Sequence, residues 1–437
     1  MSQTLALLGG EPVRKESYPP HSTMIDEAEE KEVLEVLRSG HLSGFSGTPG
    51  DRFLGGPKVR RLEDDFAERF GVSYAVSFNS ATSALHGVVA AALVGPGDEV
   101  ITTPTTMCAS ASCILMQNAL PVFADIEEET FGLDPASVEE RITPRTKAIL
   151  TVNLFGHPSR LAELKEIADR RDLVLIEDNA QSPGAFFHNR LAGTLGKMSV
   201  FSLNYHKGIQ TGEGGMVLTD DEEAAAHLRL HRNHGEVVVG PIGREDITNM
   251  LGGNYRLTEL QAAVGIPQLA KLDTLNTRRI DLADLLAKRL RKFDFLTAPR
   301  TEEECTHVFY LFAMRYDAGR IGISRKTFVE AMQAEGISIG AGYVRPIYLE
   351  PLYQRRIVYG REGCPFTCSL NEGSEVSYAR GICPTAEQLH FNELLTTDIC
   401  KFPNTPEVVE EFARAVEKVY ENRAALLARE KAGGNGA

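Results

Sequence analysis

Leu173-Val-Leu-Ile-Glu177-Asp178-Asn-Ala-Gln181-Ser-Pro-Gly184 is a short apolar run that stops at a pair of acids and opens into a loop of small, turn-forming residues. An apolar run of this length, bounded by turn signals, reads as a strand buried on both faces. Its neighbours repeat the theme on both sides. Ala75–Phe78, Glu99–Thr102, Val122–Asp125 and Ala148–Val152 precede it as strands, and Met198–Leu203 follows. Helical patterns over Thr82–Leu93, Ala109–Gln117, Pro135–Arg141 and Arg160–Arg171 lie between them. Strands alternating with helices predict an α/β fold: a mostly parallel sheet with helices on both faces. Such sheets bind ligands beyond the carboxyl ends of their strands, so Asp178 falls where a functional acid is expected.

Further along, Thr258 to Phe293 predicts two long helices, and Val308–Tyr316 begins a different pattern of strands and helices. The expected organisation is an N-terminal segment and large domain over 1–271, a smaller α+β domain over 272–425, and a disordered tail over 426–437. Residues 40–57, rich in Gly and Ser, suit a loop near a site as well as a plain surface connection.

Composition narrows the function classes. The chain has 437 residues, 43% hydrophobic and 24% charged, which is ordinary globular composition. A net charge of −14 with no basic stripe argues against nucleic-acid binding. No apolar run is long enough for a membrane span. The first ten residues have no basic segment ahead of their short apolar stretch, so no secretory signal is expected and a cytoplasmic location is. The seven cysteines form no CxxC pair and are expected to be reduced and mostly buried, without a zinc site.

Two further segments carry chemistry. Ser202-Leu-Asn-Tyr-His-Lys207-Gly-Ile-Gln-Thr-Gly212-Glu-Gly-Gly215 brings a strand into a lysine followed by a glycine-dense loop. Glycines permit sharp turns and close approach to a ligand. A lysine amine held there and desolvated can form a Schiff base with a carbonyl or with pyridoxal phosphate. An acid such as Asp178 could cap a helix, bind a cation, or keep a pyridine nitrogen protonated as an electron sink. Asn79-Ser-Ala-Thr82-Ser83 is a strand-to-helix turn whose free amides suit a phosphate, with Thr82 or Ser83 as a plain helix cap the competing reading.

Ser202…Lys207…Thr211-Gly-Glu-Gly-Gly215, Glu177-Asp178-x-Ala-Gln181 and Gly253-Asn254-Tyr-Arg256-Leu-Thr-Glu259-Leu-Gln261 together resemble the DegT/StrS-type sugar aminotransferases. Leu7–Val13, Pro121–Asp125 and Arg232–Gly235 fit as well, so the resemblance covers residues 5 to 425. It implies the fold-type-I aminotransferase architecture, with a seven-stranded sheet, and pyridoxal 5′-phosphate as cofactor. Lys207 would carry the cofactor and shuttle protons, Asp178 would pair with the pyridine nitrogen, and Gln181 would reach the ring oxygen. Thr82, the backbone at Ala81, and Ser202 would hold the phosphate. Asn254 would reach the phosphate of a neighbouring subunit, which implies a homodimer with shared sites. Two positions depart from the family pattern: Ala81 stands where glycine is usual, and Met107 where an aromatic residue stacks on the ring. Methionine is apolar and polarizable enough to cover a ring face.

The implied reaction moves an amino group from glutamate or glutamine to a keto sugar linked to a nucleotide, or to a keto cyclitol of antibiotic biosynthesis. No metal is expected. A dehydratase acting on keto-deoxy sugars and a non-catalytic protein of the same fold are the alternatives. The first is disfavoured because relatives of that kind carry histidine in place of Lys207. Arg345 is a candidate for a substrate carboxylate or phosphate, with a solvated arginine the competing reading.

Overall fold

The computed structural model describes residues 4–433. Strands β1 (Tyr74–Phe78), β2 (Glu99–Thr102), β3 (Leu120–Phe123), β4 (Thr146–Val152) and β5 (Val174–Asp178) come first. A two-stranded hairpin, β6 (Phe186–Phe187) and β7 (Arg190–Leu191), separates them from β8 (Met198–Ser202) and β9 (Gly215–Thr219). Without the hairpin these make one seven-stranded sheet, in order β1-β9-β8-β5-β4-β2-β3. Only β9 runs against the rest, paired antiparallel with β1 and β8.

Alternate residues of each strand face opposite layers, as the two-residue period of a strand requires. Val100, Leu150, Ile176 and Val200 join one core with α3 (Ala81–Ala91) and α4 (Ala109–Met116). Ile101, Ile149 and Leu175 join the opposite one with α5 (Pro135–Arg141) and α6 (Leu161–Arg171). Both faces are therefore covered, which explains why the strands read as continuous apolar runs. Helices α1 (Glu27–Ser39) and α2 (Pro57–Phe70) pack with helix Glu259–Ala270, and α7 (Glu222–Arg232) packs on α3.

A second, antiparallel sheet in order β10-β11-β13-β12 follows: β10 (Leu296–Thr297), β11 (Phe312–Tyr316), β12 (Gly340–Ala341) and β13 (Leu394–Thr397). Phe312, Met314 and Leu395 build its core with residues of helices Leu272–Leu290, Arg325–Ala334 and Pro406–Glu421. The chain from 347 to 393, which the sequence reading assigns to the smaller domain, packs instead on the larger sheet. Asp125 accepts the amides of Thr385 (2.8 Å) and Ala386 (3.0 Å), and the Tyr378 hydroxyl donates to the carbonyl of Pro121 at 3.0 Å. Strand β3 ends at Phe123 and not at Asp125 as expected, because the Asp125 backbone leaves the ladder: its amide donates to the Ser137 hydroxyl (2.8 Å) and its carbonyl accepts the Asp134 amide (3.0 Å).

Two other expectations need correction. The final helix runs Arg423–Gly433 and buries Leu426 fully, where disorder was expected from 426; residues 434–437 lie outside the described residues. Cys364 and Cys368 are joined in a disulfide, while Cys108 is an exposed thiol. No helix among the described residues is long and apolar enough to cross a membrane.

Candidate active site

Because β1, β5 and β8 are parallel and β9 is antiparallel to its neighbours, Phe78, Asp178, Ser202 and Gly215 share one edge of the sheet. Gly215 pairs with both Phe78 and Ser202.

Asp178 is 3% exposed. Its Oδ1 accepts the amide of Ala180 at 3.0 Å and its Oδ2 accepts the Ser110 hydroxyl at 2.8 Å. No cation lies within ion-pair distance of it among the described residues. Burial pushes its carboxyl above the ordinary range, opposed by these two hydrogen bonds and by the charge of Lys207. Beside it, Glu177 accepts the amides of Gly193 (2.7 Å), Leu195 (2.8 Å) and Gly196 (2.7 Å), which fixes the end of β5 to the loop before β8.

The loop between β8 and β9 is closed at its neck. Leu203 and Gly214 share one backbone bond (2.9 Å), and the Thr211 amide donates to the Leu203 carbonyl at 2.8 Å. Lys207 projects from this loop with its amine 4.6 Å from the centroid of the Tyr310 ring. Desolvation lowers the amine to about 8, against a smaller upward pull from Asp178. His206 is held down to about 4 by burial and the nearby lysines, so its imidazole is neutral. Gln181 accepts the Phe155 amide at 2.9 Å and donates to the Tyr343 hydroxyl at 3.3 Å.

Ser80, not Thr82 or Ser83, caps α3: its side chain accepts the Ser83 amide at 3.1 Å. Thr82 is thereby left exposed in the first turn, beside the free amides of a helix N-terminus. Gly215 lets that turn close on the sheet, since a Cβ there would lie 2.5 Å from the Ser80 carbonyl and 2.7 Å from the Ala81 nitrogen. Ser202 is buried next to it. Met107 is 58% exposed, at the end of the loop between β2 and α4. Asn254 is exposed and bonded through its Oδ1 to Arg256 Nε at 2.8 Å. Arg345 is exposed.

Residues without a sequence signal complete the site. Ser110 lies in the first turns of α4, Tyr310 precedes β11, Tyr343 follows β12, and Lys401 follows β13. Burial pushes the Tyr343 hydroxyl up to about 12.

This donor set fits pyridoxal phosphate. Asp178 is a buried carboxylate held by neutral donors, and a protonated ring nitrogen is the kind of cation it lacks. Lys207 is a desolvated amine without an acidic partner in contact, and the α3 N-terminus with Ser202 suits a phosphate.

Residues 24–374 match the model of the DegT/DnrJ/EryC1/StrS aminotransferase family. The spore coat polysaccharide biosynthesis protein SpsC of Bacillus subtilis is 32% identical over 361 residues, covering 80% of this chain and 90% of SpsC. An aminotransferase from Psychrobacter cryohalolentis superposes with a TM-score of 0.79 at 26% identity, over 93% of this chain and 100% of that one. DesI, solved in the presence of its TDP-sugar product, gives a TM-score of 0.76 at 27% identity, over 98% and 99% of the two chains.

Proposed function

The chain belongs to the DegT/DnrJ/EryC1/StrS aminotransferase family, and from that premise we propose that it uses pyridoxal 5′-phosphate to move an amino group from glutamate or glutamine to a keto sugar carried on a nucleotide. The observation that carries the cofactor assignment is the pairing of a desolvated Lys207 amine with the buried carboxylate of Asp178 at one sheet edge. Support for a nucleotide-linked sugar over a cyclitol comes from similarity to DesI, with its TDP-sugar product, and to SpsC of polysaccharide biosynthesis.

Lys207 would hold the cofactor through its amine, Asp178 would face the ring nitrogen, and Thr82, the Ala81 amide and Ser202 would take the phosphate. Bound there, the cofactor supplies an electron sink for the charge left when a proton leaves the donor α-carbon. The chain supplies the proton transfer. With its proton affinity lowered to about 8, the Lys207 amine is neutral in a useful fraction of molecules near neutral pH, so it can accept a proton and return it. A cation at Asp178 would offset the burial that raises its carboxyl, and Ser110 and the Ala180 amide hold its two oxygens in place for that contact. Neutral His206 adds no charge to compete for the proton.

Asn254, exposed at the surface, is assigned to the site of a second copy, in a homodimer with shared sites. Replacing Lys207 by Ala is expected to abolish both turnover and the pH-dependent visible absorbance of the bound cofactor. Retained turnover would refute the assignment. Conversion of the loaded protein by glutamate, with equimolar 2-oxoglutarate formed, tests the donor.

A further inference from the structure

Lys401 lies in the turn after β13, tied by its own amide to the Asp398 carbonyl at 3.0 Å. Its amine reaches across to the larger sheet's site. It sits 4.2 Å from the centroid of the same Tyr310 ring that Lys207 approaches, and donates to the carbonyl of His206 at 3.4 Å. Among the described residues no carboxylate is within ion-pair distance of it. The nearest acid in its own turn, Asp398, is occupied by His21 Nε2 (2.6 Å) and the Ser338 hydroxyl (3.2 Å). Two lysine amines thus share one aromatic ring, and neither has an acid in contact.

The groups facing this pair come from several elements. Asp178 arrives from β5, Tyr310 from the segment before β11, His206 from the loop of Lys207 itself, Arg279 from helix Leu272–Leu290, and Asp398 from the turn of Lys401. Asp178 pulls protons toward Lys207, Lys207 lowers Lys401, and two amines so placed oppose each other's protonation through a medium that screens poorly. Burial brings Lys401 to about 8, with Arg279 and Lys207 pushing the same way and Asp398 opposing them.

We propose that Lys401 is a positioning residue whose ammonium charge keeps the Lys207 amine in its unprotonated, proton-accepting form during amino transfer. A lysine beside another cationic group is a recognised way to make an amine work as a base or nucleophile near neutral pH. The Tyr310 ring, 4.2 Å from one amine and 4.6 Å from the other, keeps Lys401 beside Lys207. The proposal rests on the cofactor-dependent reading above.

The test compares Lys401→Met with Lys401→Arg. In cofactor-loaded protein, the pH midpoint of the visible absorbance is titrated. In cofactor-free protein, the pH dependence of Lys207 acetylation by limiting acetic anhydride is followed by mass spectrometry. Lys401→Met is expected to raise both midpoints by roughly one pH unit, the size of a nearby like charge at an effective dielectric of about 20. The acid limb of kcat/KM should move with them, and Lys401→Arg should leave all three in place. Unmoved midpoints in Lys401→Met overturn the proposal, as do equal shifts in both variants. A weaker KM for the donor with unmoved midpoints also overturns it, and makes Lys401 a receptor for a substrate anion instead. Failure of the unmodified protein to take up cofactor would refute the cofactor reading alone, because the acetylation midpoints still decide the role of Lys401.

Discussion

Asp178 and Lys207 stand out in the sequence because one ends a strand and the other lies in the glycine-dense loop after one, each inside a motif only a few residues long. Ser110, Tyr310, Tyr343 and Lys401 do not, since each reaches the site from a different element and no local pattern marks it. The two legible residues make separable predictions. Asp178→Asn removes the charge that would face the ring nitrogen while preserving the Ser110 contact, so under the proposed function kcat should fall roughly a hundredfold or more with little change in fold. Steady-state kinetics with circular dichroism as control would check it. Lys207 also has a signature in stability. Its amine is near 8 when folded and at its ordinary 10.5 when unfolded. The unfolded state therefore binds the extra proton between those values, and stability rises with pH across that window. Below it the penalty for burying the amine is fully felt. Cofactor-free Lys207→Met should accordingly be more stable than the parent at pH 7, by roughly 2–3 kcal/mol, and the gain should shrink toward pH 10.5. Urea titrations at the two pH values would measure it.

Among the elements, α3 shows how a helix N-terminus is divided between structure and ligand. Ser80 caps it, so Ser80→Ala should cost about 1 kcal/mol of stability. Thr82 has no capping duty, and Thr82→Val should leave the melting temperature of cofactor-free protein unchanged while weakening cofactor uptake. Calorimetry and fluorescence titration separate the two. The parallel strands were readable because β2, β4 and β5 are apolar on both faces, and burial on both faces is what such runs require. Strand β3 lies two residues earlier than the pattern suggests because the Asp125 backbone, two residues past Phe123, bonds to Ser137 and Asp134 and not to the sheet. Residues 40–57 read equally as a loop near a site or a connection. They are pinned: the Glu259 amide donates to Leu42 at 3.0 Å and Asn233 Nδ2 donates to Ser46 at 2.8 Å.

For the whole molecule, exposed apolar side chains at Val237 (60%), Ile247 (59%) and Leu251 (78%) lie on the segment that leads to Asn254. In the proposed homodimer these exposed apolar groups would be covered by a second copy. If sites are shared across such a surface, mixing inactive Lys207→Ala with Asn254→Ala protein should recover about a quarter of the parent's activity, because half of randomly paired dimers hold one complete site. No recovery after subunit exchange would argue for self-contained sites. The division into two sheets was legible, but the docking of 347–393 was not, because its partners are backbone groups of strands more than two hundred positions earlier, as with Tyr378 and Pro121.

That docking has a mechanical consequence. The chain beyond residue 300 touches the larger domain through Val308 on Gly156 (2.9 Å), Ile347 on Pro104 (2.9 Å) and Lys401 on His206 (3.4 Å), besides the anchors at Asp125 and Tyr378. Contacts made at several separate points favour small sliding displacements along them, a shear more than a hinge, as the way to tighten around a substrate. The reach of Lys401 toward Lys207 would then vary with that slide, tying the readiness of the base to the fit of what is bound.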